Sequence, residues 1–525
     1  MSASTERKNR QAAREAGTDK KMLAQQEAEK KAAKSKRQWT IGSILVAVLL
    51  IVILLLNTGF VYKHTTAATV GDTKYSPAEL SYYYLNQYSN FVSQYGSYAS
   101  MFGLDTTQGV ASLGKQACPM LGEGQTWRDY FMQGALGAMQ QITALKDYAA
   151  KNGISLDDDE LAAIDADLAS AESSAKLAGF SNLNNFFAAQ FGTGVNAATV
   201  RRLTADSQLA SKVLQQYSDS LTYTPEELEE YYASLEGSSD LFDYAYYFVA
   251  AETVPAEGEE AAEGEEAEAA VTEQTLLEAR MTAEAIETAY RDGADIEDAV
   301  ERLNAAIEAE FDTESATQRS AVSGSSLGDM SDFLRDSSRK EGDVSVVESA
   351  AGDGYYVVVF LAREDNHYPT VSVRHILIRA EADENGVYTD EAKQAALARI
   401  EEIRAEFESG DKTEESFAAL AEQYSEDAGS NTNGGLYENI YKGQMVPAFD
   451  AFCFAGHKSG DTDVVYGENS GYAGYHLVYF VGEGDLYSNV IAENALLSDA
   501  VNEFVEAQIE GYEPVLRFFS RYAGR

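Results

Sequence analysis

The spacing of hydrophobic and polar positions divides the chain into a helical first half and a second half in which strands and helices alternate. Between residues 70 and 235, apolar side chains recur every three or four positions, as on one face of amphipathic helices. Ser76-Pro77 followed by Glu79 predicts a capped helix start, and the same pattern returns at Thr224. After residue 240, short runs of β-branched and aromatic residues predict buried strands. We therefore expect an α+β chain of several domains.

Two of the predicted strands in the second half each contain a histidine. His375 lies in VSVRHILI and His476 lies in GYHLVYF. Strands that pair side by side would bring the two imidazole rings together over one site. The chain has 5 histidines in 525 residues, so the use of two in this way is notable.

The residues between these strands complete an ordered set of motifs. FAALAEQYSED is followed by GGLYENIYKGQMVPAFDAFCF, and the set closes with GYHL. Residues 371–484 therefore resemble a parvulin-type (PpiC) peptidyl-prolyl isomerase domain. The resemblance implies a small α/β domain with a four-stranded, mostly antiparallel sheet flanked by helices.

The resemblance also implies the site residues. The expected catalytic residues are His375, Asp427 and His476, and the expected substrate-binding residues are Leu436, Met445 and Phe449. Taken singly, each has a structural interpretation, because a hydrogen-bonded histidine pair can hold a sheet together and Met and Phe can be core residues. One position departs from the family. A hydroxyl residue often stands five positions before the second histidine, where this chain has Gly471, and Ser470 or Asn469 are the candidates to replace it.

The helical region resembles another module in pattern and order. Residues 63–238 look like the N-terminal chaperone domain of SurA/PrsA-type extracytoplasmic foldases. By the same resemblance, we expect the C-terminal helix in residues 485–525 to return and pack on this helical domain.

Residues 239–366 read as a degenerate copy of the parvulin-like domain. FDYAYYFVAAE matches VSVRHILIRAE, and GYYVVVFLARED matches GYHLVYFVGEGD. Tyr246 and Tyr356 stand at the two histidine positions. The alternative is that any two α/β segments share such strands. Within this copy, residues 252–274 hold nine Glu and no Lys or Arg, which predicts a disordered surface loop.

The charge distribution predicts a membrane-anchored protein. The net charge is −45; residues 1–38 contribute +6, from 11 basic and 5 acidic residues, so the remainder carries −51. Such acidity argues against binding to nucleic-acid backbones. No charged residue occurs in 41–62. We expect residues 39–62 to form a transmembrane helix behind a cytoplasmic basic tail, residues 1–38. A cleaved signal peptide is the alternative.

These patterns predict a single-pass cell-membrane protein whose bulk is extracytoplasmic. The expected function is peptidyl-prolyl cis-trans isomerase and chaperone for unfolded or nascent secreted polypeptides. No metal-ligand spacing is present, and the chemistry needs no cofactor. Two other functions remain open. One is a holdase chaperone with negligible isomerase activity, and the other is an acidic adaptor protein of the envelope.

Overall fold

The computed structural model describes residues 3–17, 20–57, 59–255, 269–291, 295–384, 386–469 and 471–524. They fall into two compact units, Met1–Leu221 with Asp499–Arg525, and Thr222–Ser498. The first unit is mainly helical, and the second is built on two four-stranded sheets. The chain is therefore a multidomain α+β protein, which confirms the class expected from the sequence.

The first unit is a set of helices with an aromatic core. The start of the helix at Pro77 is confirmed, because the Ser76 side chain accepts from the Glu79 N–H and the Glu79 carboxylate accepts from the Ser76 N–H. The ring of Phe91 lies 5.0 Å from that of Trp127. The helices are α1 (Ala3–Glu15), α2 (Lys20–Asn57), α3 (Phe60–His64), α4 (Pro77–Tyr95), α5 (Trp127–Asn152), α6 (Asp158–Leu177), α7 (Leu183–Phe191) and α8 (Ala197–Asp219).

The membrane span expected at residues 39–62 overlaps α2 and α3. Residue 58 and the side chains of residues 51–57 lie outside the described part of the chain. Within the described part of the chain, no helix has both the length and the apolar character needed to cross a bilayer.

The end of the chain completes the helical unit. The last helix, α16 (Tyr487–Ile509), belongs to this unit from Asp499 onward. The ring of Phe504 stacks on Tyr217 at 4.2 Å and meets Tyr148 edge-on at 5.1 Å. Beyond the helix, a short strand pairs with β1 of a small antiparallel sheet: β1 (Ala68–Val70), β2 (Thr73–Tyr75) and β13 (Val515–Leu516).

One helix belongs to a different unit from the one expected. The sequence assigns α9 (Pro225–Ser234) to the helical domain 63–238, whereas the structure groups it with the second unit. Leu228 and Tyr232 are buried in one cluster with Ala492 of α16. The Tyr232 hydroxyl also donates to the buried Asp240 carboxylate at 2.6 Å. The periodicity of a helix reveals its apolar face but not the partner that covers it.

The first sheet of the second unit has the strand order β6-β3-β8-β7, with every neighbouring pair antiparallel. Its helices α10 and α11 cover one face, and α12 lies on the other. The elements are β3 (Leu241–Ala250), α10 (Glu273–Arg291), α11 (Ile296–Ile307), β6 (Thr317–Ser323), α12 (Ser331–Arg335), β7 (Val344–Glu348) and β8 (Gly354–Glu364).

The segment expected to be a disordered loop, residues 252–274, is ordered at both described ends. β4 (Thr253–Pro255) and β5 (Ala269–Val271) form an antiparallel pair, and α10 already begins at Glu273. The short apolar stretches that flank the acidic run can pair as strands even though the run itself repels. Residues 256–268 lie outside the described residues.

The second sheet repeats the architecture of the first. Its order is β10-β9-β12-β11, again antiparallel throughout. Helices α13 and α14 pack on one face and α15 packs on the other. The elements are β9 (Pro369–Arg379), α13 (Asp390–Ser409), α14 (Glu414–Tyr424), β10 (Leu436–Ile440), α15 (Pro447–Cys453), β11 (Thr462–Asn469) and β12 (Tyr472–Leu486).

Candidate active site

The two histidines meet on the face of the second sheet that α15 covers. In the β9–β12 ladder, His375 pairs with Val478 and His476 pairs with Leu377. This diagonal offset places both imidazoles on one face, within reach of each other. Their Nδ1 atoms lie 3.0 Å apart, and the rings are inclined by 20°. The two residues are only 4% and 5% exposed, so their polar atoms depend on protein partners.

Asp427 lies beside this pair in the turn between α14 and β10. Its Oδ2 is 3.0 Å from His375 Nε2 and accepts hydrogen bonds from the Ser430 hydroxyl at 2.5 Å and the Tyr437 hydroxyl at 3.1 Å. The hydrogen bond with His375 holds the pKa of Asp427 well below its usual range, and the bond from Ser430 adds to this against the opposing effect of burial. The carboxylate is therefore ionised at neutral pH.

Backbone contacts with β9 fix the position of this turn. The Glu426 N–H donates to the Leu377 carbonyl at 2.9 Å, and the His375 N–H donates to the Gly435 carbonyl at 2.8 Å. Gly435 has a φ of +72°, and a Cβ there would lie 2.2 Å from the His375 carbonyl oxygen. The second glycine of the GG motif is thus required for the close approach of the turn to the strand.

Tyr472 supplies the hydroxyl that is missing at Gly471. Its hydroxyl lies 3.1 Å from His476 Nε2. Asn469, one of the two expected replacements, is used elsewhere, because its Oδ1 accepts from the N–H groups of Gly471 and Tyr472. Ser470, the other, lies outside the described residues. The sequence could have indicated Tyr472, because Tyr472 and His476 are four residues apart on one strand and such residues share a face.

When both imidazole rings are neutral, one assignment of donors and acceptors satisfies the hydrogen bonds of all four ring nitrogens. The ionised Asp427 can only accept, so His375 donates from Nε2, which leaves its Nδ1 as an acceptor. His476 then donates from Nδ1, and its Nε2 accepts from the Tyr472 hydroxyl. Burial, with a contribution from the neighbouring His375, lowers the pKa of His476 to about 3 and so keeps this ring neutral.

A cavity of about 240 Å³ opens above the histidine pair. The Phe449 ring stands edge-on to both imidazoles, at 5.5 Å from His375 and 5.3 Å from His476. Phe449 and Met445 give the cavity an apolar wall, and Asp427, Tyr437 and Gln444 add polar groups. The full lining is His375, Leu377, Arg379, Asp427, Tyr437, Gln444, Met445, Val446, Phe449, Tyr472 and His476.

The sixth expected site residue, Leu436, does not line this cavity. It pairs with Arg374 in the β10–β9 ladder, whereas the adjacent Tyr437 pairs with Val373. Successive side chains on a strand point to opposite faces. Because Tyr437 faces the cavity, Leu436 lies on the face of α13 and α14. Tyr437, one position further along, lines the cavity where Leu436 was expected.

The hydrogen bonds of the two histidines bear on what the site can do. All four imidazole nitrogens already have partners inside the protein, so neither histidine offers a free base. Within the described residues, no group of three or more His, Cys, Asp or Glu side chains is arranged to hold a metal ion. The cavity thus combines an apolar wall with an ionised carboxylate, two tyrosine hydroxyl groups, Arg379 and Gln444.

Comparison with known proteins agrees with this geometry. Residues 355–482 match the PPIC-type PPIase domain. The chaperone SurA of Alkalilimnicola ehrlichii is 28% identical over 242 residues, which cover 45% of this chain and 48% of that protein. The foldase protein PrsA 1 of Listeria innocua is 32% identical over 113 residues, covering 22% and 31%.

A solved structure also matches part of the chain. It is the peptidylprolyl isomerase PrsA from Bacillus anthracis, with 25% identity, 28% of this chain and 60% of that chain covered, and a TM-score of 0.17. The chain spans about half the length of SurA and less of PrsA 1. The chain thus contains a PPIC-type peptidyl-prolyl isomerase domain and is similar to the SurA and PrsA foldases.

Proposed function

We propose that the protein is a peptidyl-prolyl cis-trans isomerase and chaperone that assists the folding of secreted proteins outside the cytoplasmic membrane. The observation that carries the proposal is the apolar cavity of Met445 and Phe449 set over the His375–His476 pair and the ionised Asp427. Its clients would be unfolded or nascent secreted polypeptides, the class that the similarity to foldases suggests.

Isomerisation of a proline bond requires no covalent bond between enzyme and substrate. Rotation about an X–Pro bond must break amide resonance, against a barrier of about 18–20 kcal/mol. The enzyme lowers this barrier if it binds the twisted bond more tightly than the planar one. In our proposal, Phe449 and Met445 hold the proline ring. The negatively charged carboxylate of Asp427 lies beside the carbonyl group of the bond that rotates. The histidine pair would keep the floor of the cavity in place.

The other parts of the chain have supporting roles in this proposal. The first sheet, within residues 239–366, would be a degenerate parvulin-like domain without catalysis, which spaces the isomerase domain or widens the surface that binds clients. The helical domain would bind unfolded chains. Residues 39–62 would anchor the protein in the membrane, with residues 1–38 in the cytoplasm; the uncharged run 41–62 and the basic tail support this.

An isomerisation assay on the purified full chain, with a short proline peptide, tests the proposal. The double variant Asp427→Ala/Met445→Ala should lower kcat/KM by at least about tenfold, since it removes both the charge at the floor and one wall of the cavity. Asp463→Ala, at an exposed carboxylate on β11, is the matched control and should keep full turnover.

The outcomes separate the three functions. A folded double variant with undiminished turnover would refute the site. A wild-type chain that binds an unfolded client without turnover would indicate the holdase, and a chain with neither activity would indicate the envelope adaptor. Against the holdase stands Tyr472, whose hydroxyl restores the contact that Gly471 had left in doubt.

A further inference from the structure

One wall of the cavity is a short exposed turn. Residues 441–446 join β10 to α15, and Gln444, Met445 and Val446 of this turn line the cavity. Inside the turn, the Gln444 N–H donates to the Tyr441 carbonyl at 3.2 Å, and the Gln444 side chain accepts from the Tyr441 N–H at 3.1 Å. Gly443 and Gln444 are exposed, so these bonds compete with water. The turn is also tied to α15, because the Gly443 N–H donates to the Asp450 carboxylate at 2.8 Å and Met445 packs against the cluster that contains Phe449. A further contact lies at the base of the turn.

Three tyrosines supply that contact at the base of the turn. Tyr441 stacks on Tyr487 with ring centroids 4.4 Å apart and planes inclined by 9°. Tyr487 in turn lies 5.7 Å from Tyr368, which meets Phe454 at a right angle at 5.8 Å. We name Tyr368, Tyr441 and Tyr487 the tyrosine clamp. Its members come from the linker before β9, from the turn itself and from the first residue of α16.

Polar contacts fix the tyrosine clamp to the turn. The Lys442 N–H donates to the Tyr368 hydroxyl at 3.1 Å, and its ammonium nitrogen lies 4.0 Å from the centre of the Tyr368 ring. The Tyr487 N–H donates to the Tyr368 carbonyl at 2.9 Å. Lys442 also forms an ion pair with Glu364, but both side chains are about 40% exposed, so this pair contributes little. The stacked rings therefore act together with a backbone hydrogen bond and a cation–π contact.

We propose that the tyrosine clamp positions the Met445 turn and thereby sets the affinity of the cavity for the proline ring. This inference rests on the proposed isomerase function. None of the three tyrosines lines the cavity, so they are positioning residues and not catalytic ones. Tyr368 and Tyr487 also lie outside residues 371–484. The functional isomerase unit therefore extends into the linker before β9 and into the start of α16.

The effect should appear in binding more than in the rate of rotation. Met445 grips the proline ring, which keeps its shape while the peptide bond turns, so its contact is similar in the ground and transition states. Loss of such uniform binding raises KM and leaves kcat nearly unchanged. Loosening the clamp leaves the Asp427 and histidine contacts intact, because they rest on β9, β12 and the turn before β10.

Variants at Tyr487 in the full chain test this. Tyr487→Leu keeps an apolar side chain but removes the stacking, and KM for a short proline peptide should rise about three- to tenfold at nearly constant kcat. Tyr487→Phe keeps the stacked ring and should retain the wild-type KM. Tyr475→Leu is the matched control, because Tyr475 packs in a ring pair with Tyr466 at 5.1 Å on the face covered by α13 and α14.

A second measurement observes the turn directly. With methionine methyl groups labelled with ¹³C, the Met445 signal should shift and broaden in Tyr487→Leu, while that of Met139, buried in the helical unit, should not change. An unchanged KM and an unchanged Met445 signal in a folded Tyr487→Leu would overturn the inference. A wild-type chain without turnover would instead refute the proposed function, and the Met445 signal would still report whether the clamp holds the turn.

Discussion

His476 links the candidate site to pH. Burial, with the neighbouring His375 adding to it, lowers the pKa of His476 to about 3, while a histidine in an unfolded chain titrates near 6.5. Below about pH 6.5 the unfolded chain therefore takes up a proton that the folded chain refuses, so stability falls as the pH drops from about 6.5 towards 3. Asp427 acts in the same direction at lower pH, because its pKa is also lowered in the folded state.

We expect acid to destabilise the second unit through His476. Relative to His476→Gln, the wild-type chain should lose about 1–2 kcal/mol of unfolding free energy between pH 6.5 and 5. Thermal or urea unfolding of both proteins at several pH values measures the difference. Equal losses in the two proteins over this range would contradict the neutral, buried state of His476.

His367 provides a control of opposite sign. Burial lowers its pKa, but the hydrogen bond to Glu229 and the charge of Asp365 outweigh this, and the pKa of His367 is raised overall. Its contribution is present below pH 6.5 and is lost as the pH rises through its folded value. Acidification should therefore stabilise the wild-type chain relative to His367→Gln. The effect should be small, because this side chain is 33% exposed.

Family resemblance indicated where the site residues lie but not how they connect. The structure brings His375, His476, Asp427, Met445 and Phe449 to one cavity. The hydroxyl groups of Ser430, Tyr437 and Tyr472 complete the hydrogen-bond chain without forming a motif. They depend on the register and on the fold of the turn, which are tertiary features. Leu436 was misplaced by one residue, which on a strand means the opposite face.

At the scale of elements, the two sheets share more than their strand order. In the second sheet, His375 pairs with the residue two beyond His476, and His476 pairs with the residue two beyond His375. In the first sheet, Tyr246 and Tyr356 have the same reciprocal offset. Their rings lie 5.9 Å apart. The tyrosines thus occupy the positions of the histidines in register as well as in sequence.

The carboxylates near this pair are placed differently from Asp427 in the second sheet. The turn between α11 and β6, which corresponds to the turn of Asp427, carries Asp312. Its carboxylate accepts from the Glu314 N–H and the Ser315 hydroxyl in its own turn. Phe248 of β3 lies 4.6 Å from the ring of Tyr356 on the neighbouring strand β8 and adds apolar bulk beside it. Asp329 lies near enough to Tyr356 to act on it electrostatically, and its carboxylate accepts from the Ala350 N–H at 3.0 Å. Around the two tyrosines, this arrangement supports ring packing.

We therefore expect the first sheet to be catalytically silent. In the full chain, Tyr246→Phe and Tyr356→Phe keep the ring packing and remove the hydroxyl groups, and kcat/KM should stay within about twofold of wild type, as for substitutions away from a site. On the Asp427→Ala/Met445→Ala background, the same changes should not alter the remaining rate. A residual rate that falls when the tyrosine hydroxyl groups are removed would mean that the first sheet is active.

Element boundaries were predictable where local chemistry decides them. The capping boxes at Ser76 and Thr224 start helices at Pro77 and Pro225, as the sequence indicated. The domain membership of α9 was not predictable in this way, because its apolar face fits a partner that lies more than 250 residues further along the chain. Local signals determine an element, and long-range packing determines its neighbours.

At the scale of the whole molecule, charge separates the tail from the body. Residues 1–38 carry +6, and the remainder carries −51. Lys and Arg next to an apolar segment favour retention on the cytoplasmic side, whereas acidic residues contribute little to orientation. An acidic body also remains soluble and repels anionic surfaces. This charge distribution is the observation from which we propose an anchored protein with its body outside the membrane.

The anchor proposal makes a topological prediction. In cells with the outer wall stripped, a protease added outside should digest the body, residues 63–525, and leave the basic tail intact, because the Lys- and Arg-rich side of an uncharged segment stays inside. Tags placed after residue 2 and at residue 525 report the two ends by immunoblot. As a control, opening the cells should expose both tags. Loss of the N-terminal tag alone in intact cells would show that the orientation is the reverse of the proposed one. Release of an intact body into the medium would indicate a cleaved signal peptide instead of an anchor.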